Sequence, residues 1–212
     1  SLLIKSAIFY SFLNLKYLEK SMQYYNENAE GFFNSTYKVN MAALYVPFLE
    51  RIPKHGHILD LGCGSGRDSL AFKQLSYTVT AMDVSAELVK KATQLTGLEV
   101  QQRSFYDLNE IDQYHGIWAC ASLLHCERHR LDNVLSKLTD ALKSHGVMYL
   151  SFKYGDSDRE KDGRKFTDLN EDQLSVLLNH HTKLQLVKQW ITVDQRPDRE
   201  ELWLNVLIQK MI

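Results

Sequence analysis

The stretch HILDLGCGSGRDS at residues 57–69 limits what this chain can fold into more than any other segment. A short apolar run meets an aspartate at 60 and glycines at 62, 64 and 66, and a helical segment opens at Arg67. In an open parallel sheet, ligands lie beyond the carboxyl ends of the strands, and the first strand-to-helix turn is where the backbone comes closest to them. Glycine allows that approach because it has no Cβ and tolerates positive φ. The spacing is G-x-G-x-G, not the G-x-G-x-x-G of dinucleotide folds, and no Gly-Lys-Ser/Thr follows as a phosphate loop requires. A second feature agrees with the first. Asp83 ends the run TVTAMD about 20 residues on, where a carboxylate can accept both hydroxyls of a ribose.

The rest of the chain supplies the context such a turn needs. Apolar runs at 57–61, 77–83, 98–105, 116–122 and 146–154 read as strands, with helical stretches opening at Arg67, at Ser85 and near His129. The last of these places Leu131, Val134, Leu135, Leu138, Ala141 and Leu142 on one face, with Gly146 as its stop. A prelude helix is expected from Lys38 to Pro53. Alternation of this kind predicts βαβ units with right-handed crossovers and a mainly parallel sheet covered on both faces. Past Lys153 a polar loop, GDSDREKDGRKF, leads to a helix capped by Asn170. Runs at 183–193 and 201–211 then flank Arg196-Pro197-Asp198-Arg199 and read as a hairpin.

Composition excludes several classes of function. The 212 residues predict one α/β domain. Lys+Arg 25 against Asp+Glu 26 gives a net charge of −1, so no basic field exists to hold a nucleic-acid backbone. Cys63, Cys120 and Cys126 contain no C-x-x-C pair, which argues against a disulfide or zinc framework and fits a reducing cytoplasm. The apolar first twenty residues are interrupted by Lys5, Asn14 and Lys16, too soon for a membrane span. They read as an added amphipathic helix or as residues upstream of a start at Met22. HCERH at 125–129 puts two histidines at i and i+4 but lacks the H-E-x-x-H order, so no metal is expected.

With ILDLGCGSGRD, Asp83 and LDNVLSKLTDALKSHGVMYLSF in place, the chain resembles the class I S-adenosylmethionine (SAM)-dependent methyltransferases over roughly Tyr25 to Met211. Together with YYNENAEGFF it is similar to the small-molecule enzymes of the ubiquinone-biosynthesis and tellurite-resistance types. The resemblance implies a Rossmann-like sheet of seven strands, mostly parallel, with helices on both faces. In it the last strand runs antiparallel and inserts between the fifth and sixth. Residues 1–36 would form a leader and lid, and 37–212 the methyltransferase domain.

The resemblance further implies that Asp60, Gly62, Cys63 and Gly64 line the methionine moiety of SAM, that Asp83 binds its ribose and that Val84 lies beside adenine. Where many relatives carry Gly-Asp-Ala after the third strand, this chain has Ser104-Phe105-Tyr106-Asp107, so either Asp107 or backbone groups would reach the adenine amine. Cys120, Ala121 and Ser122 would face the transferring methyl, and Tyr25 would act as the lid aromatic.

Methyl transfer from a sulfonium needs in-line approach and exclusion of water more than a conspicuous catalytic residue. His125 follows the fourth strand, where relatives place substrate-facing groups, and an ordinary imidazole suits a general base. The Asn/Asp-Pro-Pro-aromatic motif of amino-group methylators and the Pro-Cys of cytosine C5 enzymes are both missing; ASLLHC stands after the fourth strand. Arg67, Lys153, Arg164, Arg196 and Arg199 fall on segments bordering one mouth, which suggests a small anionic acceptor. The expectation is therefore SAM-dependent methylation of a small molecule, with S-adenosylhomocysteine (SAH) as co-product and no nucleic-acid or membrane partner. Two alternatives stand beside it: a SAM- or nucleoside-binding module without catalysis, and methylation of a protein or tRNA.

Overall fold

A computed structural model describes residues 19–197 and 199–212. Helix α1 occupies 19–27, so the leader expected over the first residues lies mostly outside the described part. Next come α2 (Ala29–Thr36), α3 (Ala42–Leu49), β1 (His57–Leu61), α4 (Arg67–Gln74), β2 (Thr78–Asp83), α5 (Ala86–Thr96), β3 (Gln101–Gln102) and β4 (Tyr114–Ala119). The chain then runs through α6 (Leu131–Ala141), β5 (Leu142–Lys153), β6 (Asp158–Lys161), β7 (Arg164–Thr167), α7 (Glu171–Asn179), β8 (Leu184–Val193) and β9 (Leu202–Lys210).

Seven strands form one sheet in the order β3-β2-β1-β4-β5-β9-β8. β1 pairs in parallel with β2 and β4, and β4 with β5, while β9 lies antiparallel to both β5 and β8. The expected inserted last strand is thus present. Because both faces are covered, the central strands are apolar on both sides and alternate between two cores. Leu59, Leu61, Ile117, Ala119, Met148 and Leu150 face α6 through Val134, Leu135 and Leu138. Ile58, Trp118, Val147 and Tyr149 face Tyr45 and Phe48 of α3 and Phe72 of α4. Trp118 stacks on Tyr149 with ring centroids 3.9 Å apart.

Four expectations are corrected. The third strand shrinks to Gln101–Gln102, and Phe105–Asp107 closes into a 3-10 turn capped by Ser104, whose hydroxyl accepts the Tyr106 N–H. The polar segment after Lys153 is not only loop; it forms the two-stranded antiparallel sheet β6–β7. Helix α6 stops at Ala141 rather than at Gly146, because Leu142 already adopts extended backbone and starts β5. The prelude helix is confined to Ala42–Leu49, with Pro47 inside it.

Candidate functional site

The carboxyl ends of β1, β2 and β4 open on a cavity of about 740 Å³, partly covered by α1, α2 and the β6–β7 sheet. At its floor, Gly62 has φ +76°, and a Cβ there would stand 2.3 Å from the Ser122 hydroxyl. Only glycine lets the turn after β1 pass the end of β4. Gly66, at φ +80°, serves the neighbouring contact: a Cβ would lie 3.0 Å from the Ala92 Cβ, so its absence lets α4 start against α5.

Asp83 closes this end. Its carboxylate accepts the Gly64 N–H and the Ser85 N–H, both at 2.9 Å, and is itself buried. Burial raises its pKa from the ordinary value, against the opposing pull of those backbone N–H groups. A carboxylate offers about four lone-pair sites, so two remain for a vicinal diol. Asn26 of α1 accepts the Ser85 hydroxyl at 2.7 Å and the Glu87 N–H at 3.3 Å, fastening the N-terminal helix over the start of α5. A nucleoside with an amino-acid tail fits this end: glycine backbone on one side, Asp83 at the strand end, Val84 and Phe105 in the wall beyond it.

Of the residues expected to hold cofactor, Tyr25, Gly62, Cys63, Gly64, Asp83, Val84, Phe105, Cys120, Ala121 and Ser122 line the cavity. Three are placed elsewhere. Asp60 is fully buried behind the turn, where the Ser69 hydroxyl donates to it at 2.5 Å; burial, then the nearby Asp68 charge, push its pKa up to about 8. Tyr106 turns away, its hydroxyl 3.6 Å from the Cys126 sulfur and its ring 3.5 Å from the Arg130 guanidinium. Asp107 accepts the Ser104 N–H in a capping box.

At the other end the chain assembles aromatic rings and cations. Ala121 takes a left-handed φ of +53° and donates its N–H to the Ser151 hydroxyl at 2.7 Å, which turns the chain out of β4 toward His125. His125 Nδ1 stands 2.9 Å from the Lys165 carbonyl on β7, and its Nε2 stands 2.8 Å from the Tyr25 hydroxyl. A carbonyl only accepts, so Nδ1 carries the hydrogen, Nε2 offers the lone pair, and Tyr25 donates. Burial pushes the His125 pKa down to about 4, with Arg164 and Lys153 adding to the effect, so the ring is neutral. Burial likewise raises the Tyr25 phenol.

All five expected substrate cations reach the wall, but each meets an acid. Arg67 forks onto Asp68 at 2.6 and 2.8 Å, and Asp68 also accepts Tyr45 at 2.6 Å and Trp118 at 2.7 Å. Lys153 pairs with Glu201, Arg199 with Glu201 at 3.6 Å, and Arg196 forks onto Asp194. Burial opposes ionisation of Asp194, yet that fork holds its pKa down to about 2. Arg164 differs from the rest. It lies 3.7 Å over the Tyr24 ring and meets Asp162 at 3.3 Å, but its buried Nε has no partner. Asn26, Phe32, Asp68 and Phe166 were not read as site residues from the sequence. Of these, only Asp68, two residues after the last glycine of the turn, carries a local sequence signal.

The comparisons agree with this geometry. Residues 58–146 match the family described as "Methyltransferase domain". No curated protein matches the chain in sequence. Among solved structures, 1,6-didemethyltoxoflavin-N1-methyltransferase from Burkholderia thailandensis, with 1,6-didemethyltoxoflavin and SAH bound, superposes with a TM-score of 0.71 at 20% identity, covering 92% of this chain and 88% of that one. A SAM-dependent methyltransferase from Methanosarcina mazei gives 0.68 at 16%, covering 82% and 99%. Magnesium protoporphyrin IX methyltransferase from Synechocystis PCC 6803, with SAM bound, gives 0.63 at 16%, covering 81% and 77%. The fold is that of the class I methyltransferases. Residues 58–146 thus carry a methyltransferase domain.

No described helix is long and apolar enough to cross a membrane. Among the described residues no group of three His, Cys, Asp or Glu could hold a metal ion.

Proposed function

We propose that this enzyme methylates a small, planar acceptor that carries an oxyanion, by direct displacement from SAM. The observation that carries the reading is the continuity of one cavity from the glycine turn and Asp83 to the rings and cations around Arg164. When bound, SAM supplies an electrophilic methyl on a sulfonium. Gly62, Cys63 and Gly64 would border its methionine part, Asp83 would accept its ribose hydroxyls, and Val84 and Phe105 would flank its adenine. Cys120 and Ser122, just past the end of β4, line the same cavity.

Planarity is supported by the aromatic wall of Tyr24, Tyr25, Phe32, Phe166 and Trp203; the structurally similar Burkholderia enzyme holds 1,6-didemethyltoxoflavin. The anionic character rests on Arg164 rather than on the whole cation group. All five cations have a carboxylate partner, but Arg164 also keeps a buried Nε–H without one, and such a guanidinium N–H gains a charge-assisted hydrogen bond from an oxyanion. The test is a screen for SAH release over small aromatic acids, phenols, thiols and oxyanions, with wild type, Arg164→Gln and Lys153→Ala. Acceptors losing at least tenfold in kcat/KM with Arg164→Gln, while neutral acceptors do not, support the reading. Equal turnover of acids and neutral analogues by both variants would sink the anionic part.

A further inference from the structure

We infer that Tyr25 and His125 form a proton relay that takes the hydrogen from the acceptor atom as the methyl group arrives. This rests on the methyl-transfer reading above and adds a route for the proton, which simple displacement leaves open. Three elements distant in sequence build the relay: Tyr25 from α1, His125 from the turn after β4, and the Lys165 carbonyl from β7. The Lys165 carbonyl fixes the imidazole with its hydrogen on Nδ1. The Nε2 lone pair is therefore aimed at Tyr25, whose own hydrogen lies in that bond. The phenol oxygen keeps acceptor capacity, and both side chains line the cavity.

The chemistry balances. A lone pair on the acceptor atom X forms the X–CH3 bond, and the S–CH3 bond breaks with its electrons returning to sulfur, giving neutral SAH. Donation of the X lone pair makes X–H strongly acidic. The proton passes to the Tyr25 oxygen, and the Tyr25 hydrogen passes to His125 Nε2. A weakly basic imidazole is sufficient, because the acceptor grows acidic only as the bond forms. The resulting imidazolium sits near Arg164 and Lys153, whose charges disfavour it, so once the product has left its proton goes back through Tyr25 to the water filling the cavity.

A neutral acceptor needs such a relay, and one already ionised does not. Rates with a series of phenols of graded acidity are therefore measured for wild type, Tyr25→Phe and His125→Gln, with SAM binding followed by calorimetry. Loss of a positioned proton acceptor costs about 100-fold or more. Both variants should lose that on the least acidic phenols, stay within about twofold on those ionised at the assay pH, and keep SAM affinity. Equal loss across the series, or SAM affinity lost with Tyr25→Phe, would make Tyr25 a lid residue only and overturn the relay. A wild type that binds SAM and methylates nothing would instead overturn the acceptor reading itself. Independently of turnover, the ¹⁵N spectrum of histidine-labelled protein should show His125 as the Nδ1–H tautomer, with an Nε2 resonance that shifts in Tyr25→Phe. The opposite tautomer, or an Nε2 signal indifferent to Tyr25, would remove the relay while leaving methyl transfer intact.

Discussion

The N–H of Gly64 donates to the carboxylate of Asp83 across 2.9 Å, tying the glycine turn after β1 to the end of β2. The same carboxylate accepts the N–H of Ser85, at the cap of α5. One buried side chain thus holds the turn, starts a helix and presents its remaining lone pairs to the cavity. Replacing it removes all three at once. Asp83→Ala should lower SAM affinity by about 100-fold, the equivalent of one or two hydrogen bonds to a charged group. Asp83→Asn, which keeps acceptor capacity on one oxygen, should lose less. Calorimetric titration with SAM and SAH checks both, and unchanged affinity in Asp83→Ala would mean the ribose lies elsewhere.

Gly62 argues a different point, since its cost is steric. A methyl group there meets the Ser122 hydroxyl at 2.3 Å on a backbone at φ +76°. Gly62→Ala should destabilise the protein by roughly 1–3 kcal/mol through overpacking and strain. Adding Ser122→Gly should recover part of that loss, because it removes the atoms being struck. Denaturant melts of the two single variants and the double variant give the coupling. Strict additivity would show that strain at φ, not the clash, sets the cost.

What the sequence disclosed, and what it did not, follows from range. The glycine turn, Asp83 and the two-sided strands were legible because a buried parallel strand writes its burial as a continuous apolar run, and its turn writes its closeness as glycines. β6 was illegible because Asp158, Arg159, Glu160 and Lys161 are all exposed, so no alternation marks the strand. β3 was overread because Leu98 and Val100 contribute to the core from beside α5 rather than from a ladder. The five cations all line the cavity, but their carboxylate partners were not legible in the sequence. Arg67 finds Asp68 one residue away, but Lys153 finds Glu201 only across the β5–β9 pairing. Phe32 reaches Gly64, 3.0 Å from where a Cβ would be, by a tertiary contact that no local pattern encodes.

The Asp68 network should be the costliest polar site to break. Asp68 is buried and accepts from Arg67, Tyr45 and Trp118; against the effect of burial, these partners hold its pKa below the ordinary value. Asp68→Ala would leave the Arg67 charge and two buried donors unpaired, so a loss of about 3–5 kcal/mol is expected. Tyr45→Phe removes one donor and should cost about 1 kcal/mol. Chemical denaturation distinguishes the two, and a loss below about 1 kcal/mol for Asp68→Ala would show that water replaces the carboxylate.

Asp60 and His125 give the stability profile opposite slopes. The Asp60 carboxyl is raised from its ordinary value near 4 to about 8, so the folded state binds its proton more tightly than the unfolded chain does. Its contribution is complete below about pH 4 and is lost as pH rises through about 8. His125 is lowered from about 6.5 to about 4, so its contribution is complete above pH 6.5 and is lost as pH falls through 4. The two oppose each other between about pH 4 and 6.5. Above pH 6.5 Asp60 acts without that opposition. Stability should therefore fall between pH 6.5 and 8, by at most about 1.4 kcal/mol per pH unit. Asp60→Asn should flatten most of that fall. His125→Gln should leave it in place but remove the loss on acidification, on the order of 2 kcal/mol, so that its stability declines steadily from pH 4 upward. Urea melts at half-unit steps from pH 4 to 9 resolve the two. An Asp60→Asn profile that still falls as steeply above pH 6.5 would mean Asp60 is ionised throughout, with Ser69 and Arg67 outweighing its burial.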